Sequence, residues 1–363
     1  MKILLFGEFS GFFNCLKDGL MALGHEVFLA SNGDGSKDYP SDFRWDSHFS
    51  RQKLGRMAPF YNVANIFTHK NLFSGYDVVL LIDPNNIARY TWLNRPIYDF
   101  LLKNNKKVYL SGSGDTALMF NYWYNTDTKY KSYYEGYLTD DPNTKFKDNP
   151  SMMAWEDELL RRVDGYIPIW YEYAVPFQKY SSCRNIVRIP VNFNKFEYKP
   201  NVVKDKLVFY HGITRECKGG HRYIEPAFDK LRKSYGDKAE FICAARLPFD
   251  EYMKVVERTN VIVDDANSFS VAMNGFFSMC KGKLIMGGAE PIANTAYGYE
   301  NNPIFNINPD IDQICETMID IINRKDEIEE IGLRGRQFVE KYHNYIDIAQ
   351  QYVDIFEADL NKN

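Results

Sequence analysis

The 363-residue chain has little of what usually assigns a protein at sight. Its six cysteines, at positions 15, 183, 217, 243, 280 and 315, form no C-x-x-C pair, and several lie in apolar runs. That speaks against a thiolate zinc site or a disulfide framework and for reduced thiols in a cytoplasmic protein. No uncharged apolar run nears the roughly 20 residues that span a bilayer. The apolar part of the segment Met1 to Glu8 is too short for a secretory signal. The six histidines show neither H-x-x-x-H nor H-E-x-x-H spacing, so no metal is expected. A net charge of -4 argues against nucleic acid as a partner. G-x-G-x-x-G, a Ser-His-Asp grouping, internal repeats and low-complexity tails are all missing, and with the first goes the usual support for a nicotinamide cofactor.

What is present is an α/β rhythm in two instalments. At ~150 residues per domain the length suggests two domains. Aromatics make up 16% of the chain, with 26 Tyr and 26 Phe, a content suited to carbohydrate-facing surfaces as well as to cores. Buried parallel strands are expected at 2–6, 26–30, 77–82, 107–110, 166–170 and 187–189. A helix is expected over 14–23, and a helix with an irregular insertion over 120–148. The chain turns polar at 192–204, the expected linker. Strands then resume at 207–210, 240–244, 261–263, 283–286 and 304–307. Helices are expected over 222–235 (Ile224, Phe228, Leu231 and Tyr235 on one face), over 311–323 and from Leu333 onward. The implied fold class is α/β: two Rossmann-like doubly wound domains facing a cleft, over 1–197 and 198–340. A C-terminal helix over 341–363 crosses back to the first.

The segment from Tyr210 to Gly219 is the densest in chemistry. It links an apolar strand to an amphipathic helix and carries Gly212, Arg215, Lys218 and Gly219. Helix-start amides and cationic side chains converge on anions at such a turn. Arg215 would grip a diphosphate as a fork and Lys218 as a point charge. The alternative is a solvated basic first turn, which the helix dipole disfavours.

Three blocks in order carry a resemblance to the donor domain of GT-B glycosyltransferases, above all the group 1 (family 4) enzymes of bacterial surface-polysaccharide clusters. His211, Arg215, Lys218 and Gly219 match an H-x-x-x-R-x-x-K-G block. Asp264, Met273, Asn274, Gly282 and Lys283 resemble a D-(x)n-M-N-x-x-E-A-M-A-x-G-K segment. Gly287, Gly288 and Glu290, followed by Asn308, Pro309 and Asp310, resemble a G-G-x-x-E region and a later helix start. Roughly the last 160 residues are covered; the N-terminal half matches in layout only. One departure matters. The family's glutamate pair falls near Phe269 and at Phe277, so the carboxylate that typically holds the ribose is missing.

The resemblance implies a metal-independent transferase without a cofactor. It would take a nucleotide sugar as donor and a glycan or lipid-linked acceptor, with retention of anomeric configuration. Arg215 and Lys218 would offset charge on the departing diphosphate. Ser268, Asn274 and Gly275 would offer backbone amides to the distal phosphate, or serve as a cap and a close-packing glycine. Glu290 would contact ribose or sugar hydroxyls, or be a surface turn residue. Gly7, Ser10 and Gly11 would admit the sugar or acceptor, or simply form a tight turn. Asp115 would orient a hydroxyl or act as base if the enzyme inverts; its other reading is the cap of a helix starting at Thr116. Asp310 and Asp312 form a D-x-D that opens a helix, which suits capping. The stretch 51–73 mixes cations with aromatics. It reads either as a core-facing amphipathic helix or as a peripheral contact with the inner face of the plasma membrane. A non-catalytic GT-B relative and a sugar-nucleotide epimerase remain as alternatives.

Overall fold

The computed structural model describes residues 1–88, 90–126, 149–213, 220–245 and 249–362. Two all-parallel sheets carry the chain. The first contains β1 (Lys2–Phe6), β2 (Glu26–Ser31), β3 (Phe43–Arg44), β4 (Val78–Leu81), β5 (Lys107–Gly112) and β6 (Gly165–Pro168), in the order β3-β2-β1-β4-β5-β6. The second contains β7 (Leu207–Ile213), β8 (Ala239–Ala245), β9 (Val261–Val263), β10 (Leu284–Gly287) and β11 (Phe305–Asn306), in the order β11-β10-β9-β7-β8. Both are doubly wound orders. In each, the chain builds outward on one side of its first strand and then on the other, so a crevice opens at the carboxyl ends of β1 and β4, and of β7 and β9. Nearly every expected strand is present within one to three residues.

Among the described residues, one compact unit comprises 1–122, 149–192 and 343–362, and the other 123–126 and 193–342. The first is built on Phe6, whose ring meets Trp45, Phe73 and Tyr98 at centroid distances of 4.8, 5.9 and 6.2 Å. Helix Phe12–Ala22 buries Phe12, Phe13, Leu16 and Leu20. Its far side takes the last helix, Tyr345–Leu360, where a Cβ on Gly19 would stand 2.2 Å from the Tyr345 carbonyl oxygen. Backbone meets backbone there, and only glycine permits it. In the second unit, helix His221–Tyr235 buries Ile224, Phe228 and Leu231, as its spacing predicts, against Phe209 and Phe241 of the sheet. Each such side chain contributes about 1.5–3 kcal/mol. Asn201 and Asn260 clasp one another, and Asn260 Oδ1 accepts the Val208 amide (3.0 Å), tying the preceding segment to β7. Arg336 donates to the carbonyls of Phe193, Phe196 and Cys280.

Two expectations fail. Residues 187–189 are not a strand. The Val187 amide reaches the Pro168 carbonyl (3.0 Å), but Pro168 has no N–H to return, so no ladder forms. The expected final helix is two, Ile328–Tyr342 and Tyr345–Leu360. Between them His343 is buried; its Nδ1 hydrogen-bonds the Ile189 carbonyl (2.8 Å) and its own carbonyl accepts from Val191 (2.7 Å). Asn344 then caps the next helix through the Ile346 amide.

Gly19→Val should destabilise the first unit by about 1–3 kcal/mol, because the contacting atoms are backbone and cannot swing away. Tryptophan fluorescence in urea can read this, since the first unit holds Trp45, Trp92, Trp155 and Trp170 of the five tryptophans.

Candidate functional site

In the second unit the candidate residues gather at the crevice end of the sheet. His211 is buried in the last turns of β7, with Nδ1 bonded to the Val263 carbonyl of β9 (2.8 Å), which fixes Nδ1 as the donor. Its Nε2 is buried and has no partner among the described residues. Burial holds the ring's pKa below the ordinary 6.5, so it is neutral at physiological pH. Gly212 is exposed at the strand end. Thr214 to Gly219, with Arg215 and Lys218, lie outside the described residues. The chain resumes at Gly220 (φ 70°), where a Cβ would stand 2.9 Å from Ala266 Cβ, so this end of the turn abuts the loop after β9.

That loop is fastened by its own side chains. Ser268 is buried, and its hydroxyl donates to the Ser270 carbonyl (2.6 Å). Gly288 packs on it so closely that a Cβ would come within 2.2 Å of the Ser268 oxygen. Asp264 accepts the Ala272 amide (3.2 Å) just ahead of helix Met273–Cys280. Asn274 is exposed in the first turn of that helix. Gly275 is not a phosphate-facing amide: its N–H donates to the Ala272 carbonyl (2.9 Å), and the residue is buried against Val271, so the close-packing reading holds. Glu290 is not a surface turn residue. It is buried, its Oε1 accepts from Asn306 (2.7 Å), and its amide donates to the Phe269 carbonyl (3.2 Å). Phe277, where the resemblance calls for a carboxylate, stacks on Phe196 (centroids 4.7 Å apart, planes inclined by 29°). An ionised side chain there would face an aromatic ring. Asp310 caps helix Ile311–Asn323 through the amides of Asp312 and Gln313, and Asp312 pairs with Lys230 (2.6 Å), so both carboxylates have structural partners.

In the first unit the turn after β1 is under strain. Gly7 has φ 109°, and a Cβ on it would lie 1.9 Å from Ile82 Cγ2; Gly11 has φ 85°. Ser10, which is not glycine, takes φ 55°. It is held there by Asp34, which accepts its amide (2.9 Å), and by Lys37, which donates to its hydroxyl (2.7 Å). Such strain persists only where neighbours impose it.

Within this turn lies a residue that sequence reasoning missed. Glu8 is fully buried. Its Oε2 accepts from the Asn14 amide (2.9 Å) and side chain (2.6 Å), while Oε1 has no partner among the described residues. Burial pushes its pKa up to about 7. The side-chain nitrogen of Asn86, from the loop after β4, is likewise buried and unpartnered among the described residues. Glu156, also unforeseen, is buried and pushed up to about 8 by desolvation. It accepts the amides of Ala117 (3.0 Å) and Leu118 (2.8 Å), while Thr116 accepts that of Met119 (3.3 Å). The start of helix Ala117–Asn125 is thus served by Glu156 and Thr116, and Asp115 stands half-buried at the carboxyl end of β5.

No family model matches the chain, and no curated protein matches it. Solved structures do. A sucrose-phosphate synthase from Thermosynechococcus elongatus is 14% identical, with 99% of each chain covered and a TM-score of 0.61. HepE from Anabaena, in complex with UDP and glucose, is 12% identical over 99% of this chain and 100% of its own, with a TM-score of 0.60. A UDP-GlcNAc 2-epimerase from Neisseria meningitidis, bound to UDP-GlcNAc, is 11% identical over the whole of both chains, with a TM-score of 0.53. These likenesses establish the fold: two Rossmann-like units of the GT-B type.

The buried carboxyls give a pH dependence of definite sign. Below the ordinary value of 4.5, Glu8 is protonated in folded and unfolded chains alike. Between 4.5 and about 7 the unfolded chain has released a proton that the folded chain retains, so stability falls as pH rises through this window. Glu156 extends the fall to about 8. Glu8→Gln should flatten the decline, sparing on the order of 2–3 kcal/mol by pH ~8. Urea unfolding followed by tryptophan fluorescence at a series of pH values checks this; an unchanged slope in the variant would remove Glu8 as its source.

Proposed function

We propose that the chain is a glycosyltransferase. It moves a sugar from a nucleotide-diphosphate donor to a hydroxyl of a glycan or lipid-linked acceptor, on the cytoplasmic side, in the synthesis of a surface polysaccharide. The observation that carries this reading is that His211, Gly212, Ser268 and Glu290 all lie at the carboxyl ends of strands of the second sheet, where in the sequence the segment with Arg215 and Lys218 follows β7. The fold is shared with a protein solved with UDP and glucose.

In the proposed reaction the acceptor oxygen bonds to the anomeric carbon as the bond from that carbon to the diphosphate breaks. The acceptor's proton passes to a departing phosphate oxygen on the same face, and the configuration is retained. Arg215 and Lys218 balance the charge left on the diphosphate. Ser268, before the helix Met273–Cys280, and Asn274, in its first turn, offer amides to the distal phosphate. Gly7, Ser10 and Gly11 shape the acceptor side, and Asp115 orients a hydroxyl there. Neither a metal nor a further cofactor takes part, because the two cationic side chains do the work of a divalent ion.

Arg215→Ala and Lys218→Ala should each lower transfer by roughly a hundredfold or more, with weaker donor binding, measured with a panel of UDP- and GDP-sugars. A chelator should leave the wild-type rate intact. Unchanged rates in both variants would overturn the proposal. The unpartnered Nε2 of buried His211 favours one rival, a sugar-nucleotide epimerase, which would interconvert donor sugars without any acceptor; that assay uses the same panel.

A further inference from the structure

The helix Ala58–Thr68 is apolar on two faces. Pro59, Val63 and Ile66 turn toward the body, half-buried to buried, with Ile66 its one fully buried residue. The helix is also held to the body by an amide: Asn65 donates to the carbonyls of Arg44 (3.3 Å) and Trp45 (3.1 Å). A second apolar set faces outward. Met57 is 58% exposed, Phe60 40%, Phe67 38% and, one turn on, Leu72 41%. Trp92, 61% exposed at the start of helix Thr91–Asn104, lies beside Phe60 with ring centroids 5.9 Å apart, so the stripe continues onto a second element.

Charge identifies what this surface fits. Between residues 51 and 73 there are four lysines and arginines and no acidic residue, in a chain whose net charge is -4. Lys53 and Arg56 stand exposed before the helix and Lys70 after it, so cations flank the apolar stripe at both ends. A second copy of the chain docking through this face would set like charges together. An anionic bilayer accepts both parts: the aliphatic and aromatic side chains enter the boundary of the acyl region, and the cations meet lipid phosphates. Tryptophan beside phenylalanine suits that depth. We propose that this face docks the first unit on an anionic lipid bilayer. The proposal stands on the surface itself and requires no turnover.

Co-sedimentation with vesicles of phosphatidylcholine alone, and of phosphatidylcholine with phosphatidylglycerol, tests it. The protein should pellet with the anionic vesicles, and high salt should release it. Charge reversal in K53E/R56E/K70E should weaken binding at least about tenfold, as should Phe60→Ser with Phe67→Ser. Thermal melts of K53E/R56E/K70E should match wild type, because those side chains are exposed, and a melt of the phenylalanine variant shows whether the loss of the Phe60–Trp92 contact unsettles the fold. Equal binding to neutral vesicles, or binding that survives charge reversal, would overturn the proposal. So would a dimer in sedimentation velocity that the Phe60→Ser, Phe67→Ser variant dissolves while no form binds vesicles. A protein that binds vesicles but transfers no sugar would count against the transferase reading alone.

Discussion

In a parallel sheet all strands end on one side, and because crossovers are right-handed, an open sheet gains helices on both faces only if the chain reverses its direction of growth beside the first strand. That constraint, met twice here, dictates where chemistry can be placed. At the carboxyl ends of β1 and β4, and again of β7 and β9, neighbouring loops leave toward opposite faces and backbone is left uncovered. The small and strained residues collect at these points because little else fits. Gly7 is wedged against Ile82, Ser10 is held left-handed by Asp34, and Gly220 and Gly288 press on the loop after β9. Remove the crossover geometry and none of these positions would need its residue.

The same crevices concentrate groups that water would normally solvate. Glu8 and Glu156 are both desolvated and biased toward their protonated forms. A buried carboxyl is tolerable in its neutral form or when amides surround it. Glu156 has the amides, at the start of a helix. Glu8 has two donors on one oxygen and none on the other, which makes it the least satisfied acid of the described structure's first crevice.

Much of the framework could be read from residue order, since runs such as Val78–Leu81 and Leu284–Gly287 are too apolar to lie anywhere but inside a sheet. Side-chain direction was harder. Glu8 follows a glycine and reads as a polar turn residue; Glu156 lies among Asp157, Glu158, Arg161 and Arg162 and reads as part of a solvated face. Composition over 51–73 suits a core-facing amphipathic helix or a membrane contact, and it does not tell which apolar residues face out: Ile66 is buried while Phe60 and Phe67 are exposed. The break at His343 had one local cue, the capping Asn344, and no glycine or proline beside it. At the site, Glu290 and Ser268 are legible in the sequence as residues beyond strand ends, but their burial depends on Asn306 and Gly288, partners set by register between β10 and β11.

The close seating of Tyr345–Leu360 on Gly19 has a consequence for biosynthesis. The first unit is discontinuous in sequence, and the helix that covers Phe12–Ala22 is translated only after all of residues 193–342. As the chain leaves the ribosome, all six strands of the first sheet emerge before the second sheet, yet the second unit is the first to have all its segments in hand. The amino-terminal half waits, with an apolar helix face uncovered, for a segment made some three hundred residues later. During that interval its solubility rests on chaperones or on speed of synthesis.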